Sequence, residues 1–439
     1  MGRRPAYAPL HVYMNNRCVG MLTRQPNGAI EYAYDTDWLD WEHAIPLSLS
    51  LPLRETPYRG EPVSAVFENL LPDSDKLRRL VAERVGARGT DAYSMLTKIG
   101  HDCVGALQFI AGEEEVPDAA GKIKGEAINE AAIEKILNRL SQAPLGLTSN
   151  DAFRISVAGA QEKTALLWHE GQWIKPHGTT PTTHLIKTQI GKLPEGIDLS
   201  DSVENEYYCL KLIAAFGLPV NTATIETFGE TKALVIERFD RRWTKDGRLL
   251  RLPQEDCCQA LSIPPTLKYQ NEGGPGMTDV LGLLNGSDTP IKDQNIFLKA
   301  QLIFWLMGAT DAHAKNFSVF LGPRGSYRMT PLYDIVTAQG ALHAGQIERK
   351  QMKMAMSVGN SRHYQFDQIH GRHFVQTAIR AGLSKKRVAD LIEGIAARAP
   401  EALDTAAQTL PKGFPQVIVD IVSKAILERL DGLRLPNSA

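Results

Sequence analysis

The segment Gly308–Asn316 reads Gly-Ala-Thr-Asp-Ala-His-Ala-Lys-Asn and places a carboxylate and a carboxamide five residues apart, just after a long apolar run. That spacing suits phosphoryl transfer, in which an aspartate takes the proton of the attacking hydroxyl and an asparagine holds Mg²⁺. Asp334, in Pro331-Leu332-Tyr333-Asp334-Ile335, follows after one hairpin-like stretch and offers a second hard oxygen ligand for the metal. Upstream, Lys187 ends the strand-like Thr183-His184-Leu185-Ile186-Lys187, and Glu206 follows 19 residues later in a helical pattern. Such a pair steers a lysine onto the α- and β-phosphates of ATP. Glu237-Arg238-Phe239 closes the next hairpin, where a kinase hinge presents backbone groups to adenine.

Each group alone has an ordinary reading. D-x-x-x-x-N and Asp334 suit turns, Lys187 a solvated strand end, Glu206 a helix surface, and His313 a satisfied loop histidine. Their order (lysine, glutamate, hinge, Asp–Asn, Asp) argues for an ATP- and Mg²⁺-dependent kinase with Asp311 as base. The match to ordinary protein kinases fails at the phosphate loop, because Val157–Lys163 has a single glycine. His-Arg-Asp, Asp-Phe-Gly and G-x-x-x-x-G-K-[ST] are also missing. Gly273-Gly274-Pro275-Gly276 is a rival phosphate cradle or a surface loop. His101-Asp102-Cys103 lacks a second ligand pair at zinc spacing, and vicinal Cys257-Cys258 read as packed side chains.

These residues need elements to hold them. The 439 residues exceed one ordinary core. The expected organisation is a mixed α/β module over 1–110, a connector and nucleotide-binding lobe over 111–255, and a mainly helical catalytic lobe over 256–439. In the first module, hairpins are expected at Asn15-Asn16 and Asn27-Gly28, a strand at Leu47–Leu53, and a helix capped by Ser74 or Asp75. The connector is given one helix near Ile128–Ser141. Strands are expected at Phe153–Val157, Thr164–Trp168 and Thr183–Lys187, and a helix at Glu204–Phe216 stopped by Gly217. Hairpins follow at Gly229-Glu230 and Gly322–Gly325, and C-terminal helices at Lys385–Arg398 and Val417–Leu430. With 49 basic and 50 acidic residues the chain advertises no nucleic-acid or membrane surface. Five scattered cysteines and no apolar leader point to a reducing cytoplasm.

The stretches FRISVAGAQEKTALL (153–167), TPTTHLIK (180–187), VENEYYC (203–209), ERFDRRW (237–243), RLPQEDCCQ (251–259), GGPG (273–276) and GATDAHAKNFSVF (308–320) resemble the HipA family of bacterial toxin kinases. So do PLSLSLPL (46–53) and ENLLPDSD (68–75). The likeness spans nearly the whole chain and is looser at 111–150, 340–365 and the last ten residues. It implies an α+β, two-lobed fold of the protein-kinase and phosphoinositide-kinase kind, with an added N-terminal α/β subdomain and an all-helical C-terminal lobe. It also implies a serine/threonine-protein kinase with Asp311 as base, Asn316 and Asp334 on Mg²⁺, and Lys187 on the phosphates. Ala158, Gly159, Ala160, Gln161, Glu162 and Lys163 would form the nucleotide loop, and His313, Ala314, Lys315 and Asn316 part of the ATP site.

In this family a serine before the nucleotide loop is autophosphorylated and switches the enzyme off; here that is Ser156. The implied protein substrate is glutamyl-tRNA synthetase, whose modification arrests growth and induces persistence. The implied partner is a dimeric HipB-type antitoxin, with which the kinase acts as corepressor on operator DNA, mainly through the antitoxin. At the family's DNA-touching stretch, Ile379-Arg380-Ala381-Gly382, only Arg380 can meet a phosphate; Lys385, Lys386 and Arg387 are nearby cations or a solvated helix start. Two other classes stay open: a small-molecule or lipid kinase, which would not need Ser156, and a non-catalytic corepressor, which would not need an intact Asp311, Asn316 and Asp334.

Overall fold

The structure, a computed structural model, describes residues 7–112, 121–147, 154–156, 161–193 and 196–435. The chain divides into two compact units: residues 1–188 with 226–266 and 318–327, and residues 189–225 with 267–317 and 328–439.

The first unit holds two large sheets, besides smaller ones. One is antiparallel in the order Tyr58–Arg59, Ile30–Tyr34, Arg17–Arg24, Leu10–Met14, Leu107–Ala111. Its inward face (Leu10, Val12, Leu22 and Tyr32) packs on Val66, Phe67 and Leu96 from the helices that follow. Ser74 caps the helix Asp75–Val85 by accepting the N–H of Leu77, as the sequence suggests. The same core continues through Leu147, Ile155 and Ala165, so the N-terminal module and the second sheet share one apolar interior.

That second sheet carries, in order, Thr231–Glu237, His184–Thr188, Lys163–His169, Gln172–Pro176 and Gly125–Ile128. Where the sequence suggests a helix over 128–141, the structure has the edge strand Gly125–Ile128 and then the helix Glu130–Leu137. Asn129 caps that helix on the N–H of Ala132, and its Ile133 and Leu137 cover Leu166, Ile186 and Val235 of the sheet. The four-residue strand, exposed along most of its length, has no alternation to betray it.

Leu47–Leu53 is a turn, not a strand. Glu255 draws in the Ser48 hydroxyl and the Leu49 N–H, and the Ser50 hydroxyl donates to the Gln259 carbonyl, so local side-chain bonds displace a ladder. Glu255 is buried, and burial pushes its carboxyl up to about 8 although those two donors pull it down.

A denser knot lies around Asp102. Its Oδ1 accepts from Arg241 Nη2 at 2.9 Å and Arg251 Nε at 3.0 Å, while its Oδ2 accepts from Arg238 Nη1 at 3.3 Å and the Thr182 hydroxyl at 2.7 Å. Asp240 takes a second pair of bonds from Arg238. Burial alone would raise the Asp102 pKa; Arg241, Arg251 and Arg238 outweigh it and hold the group below the usual carboxylate range.

The second unit is mainly helical: Ser202–Ala215, Met277–Leu284, Pro290–Met307, Gly371–Arg380, Lys385–Gln408 and Gln416–Leu433. Pro290–Met307 is its buried spine, with Phe297, Leu302, Phe304 and Trp305 inside. Lys299, the charge that interrupts this apolar run, reaches out to the Phe216 carbonyl at 2.6 Å. Lys385–Gln408 outruns the expected end at Arg398, continuing past Pro400. Its buried Ala402, Leu403 and Ala406 keep the inward face going, which offsets the hydrogen bond a proline removes. Arg387 is not a loose cation, since it bonds Asn295, Gln294 and the Ile291 carbonyl. Among the described residues no helix is long and apolar enough to cross a membrane.

Two measurements test these anchors. Asp102→Ala leaves three guanidiniums around a missing carboxylate and is expected to lower the unfolding free energy by about 3–5 kcal/mol in chemical denaturation. A loss under about 1 kcal/mol would remove Asp102 from its role as anchor. Glu255 keeps a proton when folded that the unfolded chain releases above its ordinary value of 4.5. Its contribution is therefore full below that pH and is lost as pH climbs through about 8. Glu255→Gln should flatten this fall in thermal midpoint; an unchanged slope would contradict the assignment.

Candidate active site

In the second unit the spine helix ends at Gly308, whose φ of 76° is the left-handed turn that glycine takes without strain. A Cβ there would lie 2.2 Å from the Gln339 side chain, so packing also demands glycine. The Thr337 hydroxyl donates to the Met307 carbonyl and fixes the exit of the chain. Asp311 follows with its side chain half exposed. Its backbone carbonyl accepts the His313 N–H at 3.0 Å and the Asn316 Nδ2 at 2.8 Å. The carboxamide is thus pinned through its nitrogen, which turns its oxygen away from the peptide, as a hard-cation ligand requires.

The Tyr269 hydroxyl donates to Asp311 Oδ1, and His313 Nε2 stands 4.0 Å from the same oxygen. Tyr269 and His313 meet edge to face at 4.9 Å. One carboxylate oxygen of Asp311 is therefore held by Tyr269, in a side chain that is half exposed. Nothing in the sequence marks Tyr269, which stands 42 residues before Asp311 outside any motif.

Asp334 adopts φ 56°, a left-handed conformation uncommon for a residue with a Cβ. The segment is held on both sides. Leu332 pairs with Val220, and the Tyr333 hydroxyl donates to the Lys315 carbonyl at 3.0 Å, tying this strand end to the catalytic loop. Ala314, Lys315 and His313 are buried beneath that loop. The glycines 273–276 form no cradle: a Cβ at Gly274 would strike the Leu267 carbonyl at 1.9 Å, and the Gly276 N–H is taken by Asp279 Oδ2. Glu206 is buried in its helix, and Arg380 is exposed with one long contact to the Gly359 carbonyl.

In the first unit Lys187 lies directly opposite Lys163, each buried, on adjacent antiparallel strands. Lys163, expected at the end of the nucleotide loop, is the first residue of the strand Lys163–His169. The register thus brings two lysines of the expected nucleotide site side by side on one face of the sheet. Gln161 Nε2 donates to the Thr188 carbonyl at 3.1 Å and holds the loop's far end beside the lysine strand, with Glu162 exposed. Ala158, Gly159 and Ala160 lie outside the described residues.

Ser156 is wholly buried. Its hydroxyl donates to the Leu70 carbonyl at 2.7 Å and its N–H to the Asp102 carbonyl. At the hinge, Glu237 pairs with His184 and is exposed, and Phe239 opens a turn and packs on Phe320. The Arg238 N–H is taken by the Thr183 carbonyl, and its guanidinium is consumed by Asp102 and Asp240. Among the described residues no group of three His, Cys, Asp or Glu could hold a metal. Asn316 and Asp334 are two hard oxygen donors, the small protein share that would suffice for Mg²⁺ where substrate phosphates complete its shell.

Comparison with known proteins places these parts in context. Residues 10–110 match the HipA N-terminal domain and residues 155–403 the HipA-like C-terminal domain. A putative kinase, Y4mE of Sinorhizobium fredii, is 36% identical over 332 residues, covering 75% of this chain and 77% of its own. The serine/threonine-protein kinase toxin HipA of Shewanella oneidensis is 27% identical over 389 residues, 85% of this chain and 83% of that one. The solved complex of Shewanella oneidensis HipA with HipB and operator DNA superposes with a TM-score of 0.77 over 96% of both chains at 24% identity. The fold is thus that of a HipA kinase, and the chain belongs to the HipA family.

Proposed function

We propose that this protein is an ATP-dependent serine/threonine-protein kinase and the toxin of a toxin–antitoxin pair. The observation that carries the reading is the catalytic loop. A half-exposed Asp311 has one oxygen held by Tyr269, and its backbone carbonyl is held by the carboxamide of Asn316. Base and metal ligand are therefore fixed to each other before any substrate arrives.

In this reading Asp311 accepts the proton of the attacking serine or threonine hydroxyl, whose oxygen then bonds the γ-phosphorus as the bond to the β-phosphate oxygen breaks. Asn316 and Asp334 hold Mg²⁺, which when bound neutralises phosphate charge. Lys187 and Lys163 contact the phosphates, and Glu206 orients Lys187. The hinge candidates for adenine are Glu237 and Phe239. The three-domain division 1–110, 111–255 and 256–439 belongs to the same reading.

Ser156 is the proposed autophosphorylation site. Its hydroxyl is buried against the Leu70 carbonyl, so accepting a phosphate requires the segment to leave that position. A phosphate carrying about −1.5 to −2 charges could not return to that buried place, where the Leu70 carbonyl is an acceptor and offers it no donor. The substrate proposed from family resemblance is glutamyl-tRNA synthetase. The proposed partner is a HipB-type antitoxin, reached by operator DNA mainly through that partner, with Arg380 as one available cation in a cytoplasmic complex.

Radiolabelled ATP and Mg²⁺ supplied to the full chain, alone and with cell extract, test this. Wild type should label itself at Ser156 and one synthetase-sized protein, and Asp311→Ala should lower transfer by about 10²–10⁴-fold. Label confined to small molecules would overturn the protein-kinase reading. Ser156→Ala should keep transfer to the extract protein but escape the progressive loss of activity that wild type shows during preincubation with ATP. An equal loss in both would remove Ser156 from its regulatory role.

A further inference from the structure

The knot around Asp102 is not electrically balanced. The guanidiniums of Arg238, Arg241 and Arg251 face only the carboxylates of Asp102 and Asp240, and all of these side chains are buried. One positive charge is therefore left over where little water screens it. The hydrogen bonds show which group carries the surplus. Arg238 and Arg241 each spend all their guanidinium nitrogens on carboxylates, carbonyls or the Thr182 hydroxyl. Arg251 spends Nε on Asp102 and Nη2 on the Thr179 carbonyl at 2.8 Å, and among the described residues its Nη1 meets no acceptor. Burial pushes this guanidinium down to about 10, which leaves it charged at neutral pH.

Arg251 lines a small cavity of about 60 Å³ within the first unit. Asn15, at the tip of the first hairpin with φ 55°, bonds both the N–H and the carbonyl of Arg251 and so fixes its backbone. The other walls are the segments 121–123 and 179–181 and the side chain of Arg248. A Cβ on Gly121 would lie 3.2 Å from Arg248 Cγ, so the first of these segments rests on that arginine. Lys122 and Arg248 bring two more cations to the lining, and among the described residues no aspartate or glutamate lines it. Arg248 shares its charge with the exposed Asp246 at 2.8 Å. Asn16 and Thr179 add a carboxamide and a hydroxyl that can donate. The space equals about two waters' share of liquid volume, ~30 Å³ each, which admits one small oxyanion. It is far below the ~300 Å³ at which pockets for larger ligands begin. A phosphate is nearly a dianion at neutral pH and accepts at every oxygen, so it matches a wall of donors.

We propose that this cavity is a phosphate site that shares no residue with the lysine pair Lys163 and Lys187. It takes one phosphate group, either free or at the end of a small monoester, held by Arg251 Nη1, Lys122 and Arg248. Bound there, the group supplies the negative charge that the two aspartates leave short. Occupancy therefore strengthens the anchor from which the Arg238 segment, the Lys187 strand and Ser156 are positioned.

The test is the thermal midpoint of the full chain without nucleotide, with chloride replaced by inorganic phosphate at fixed ionic strength. Saturating phosphate should raise the midpoint by about 2–4 °C beyond chloride. Arg251 is tied to Asp102 and its loss threatens the fold, so the site is disabled through the exposed Lys122→Glu with Arg248→Glu. That charge reversal should weaken the apparent phosphate affinity by at least about 10-fold. Lys187→Ala should keep the effect, because that lysine does not line the cavity. A parallel titration with glycerol phosphate separates the two sources: tighter binding of the ester assigns a monoester, and tighter binding of inorganic phosphate assigns the free ion. No rise over chloride with either, a rise that survives the charge reversal, or one that Lys187→Ala abolishes would overturn the site.

Discussion

Asp102 is the charge on which the first unit turns. A carboxylate with no access to water is tolerable only if its lone pairs are filled, and three guanidiniums and a threonine hydroxyl fill them. The cost of gathering five buried charges need not leave a net gain in stability. What it secures is register. Arg238 and Arg241 leave the hinge, Arg251 follows, Thr182 precedes the lysine strand, and the Ser156 N–H rests on the Asp102 carbonyl. The Arg238 segment, the Lys187 strand and Ser156 are therefore positioned from one point, and any displacement of one strains bonds to the others.

The second unit meets the same need by different means. Its candidate base, Asp311, is half exposed, so position comes from the backbone and not from buried charge. A buried helix delivers the chain, a glycine in the left-handed conformation packed against Gln339 turns it, and two donors on the Asp311 carbonyl stop the loop from relaxing. Asp334 is held in an uncommon backbone conformation by pairings on either side of it. Non-glycine residues keep such geometry where surrounding contacts over-determine it, which is the condition of a preorganised site.

Much of this was legible in residue order. Asp311, Asn316 and Asp334 stand out as candidates because their chemistry and their spacing lie within one short stretch. The hairpin at Gly229-Glu230 and the helix ending at Gly217 are written in local turn chemistry. The unreadable parts are those set by distant partners. Leu47–Leu53 alternates like a strand, but Glu255, some 200 residues away, makes it a turn. Tyr269 carries no motif and becomes part of the site only because the fold brings it to Asp311. Asp102 was weighed for metal binding, where it has no companions; its true companions are arginines that sequence spacing could not assign.

The hinge shows how the two kinds of information correct each other. By position, Glu237-Arg238-Phe239 is three equivalent candidates for adenine. Arg238 is set apart by its environment: its N–H is spent on Thr183 and its guanidinium on two aspartates. An arginine so bound cannot take a ligand itself, and only Glu237 and Phe239 on either side stay candidates for adenine. Buried charge at the centre of this segment fixes the backbone on both sides of it, so a structural role takes the middle residue out of the candidates and leaves its two neighbours.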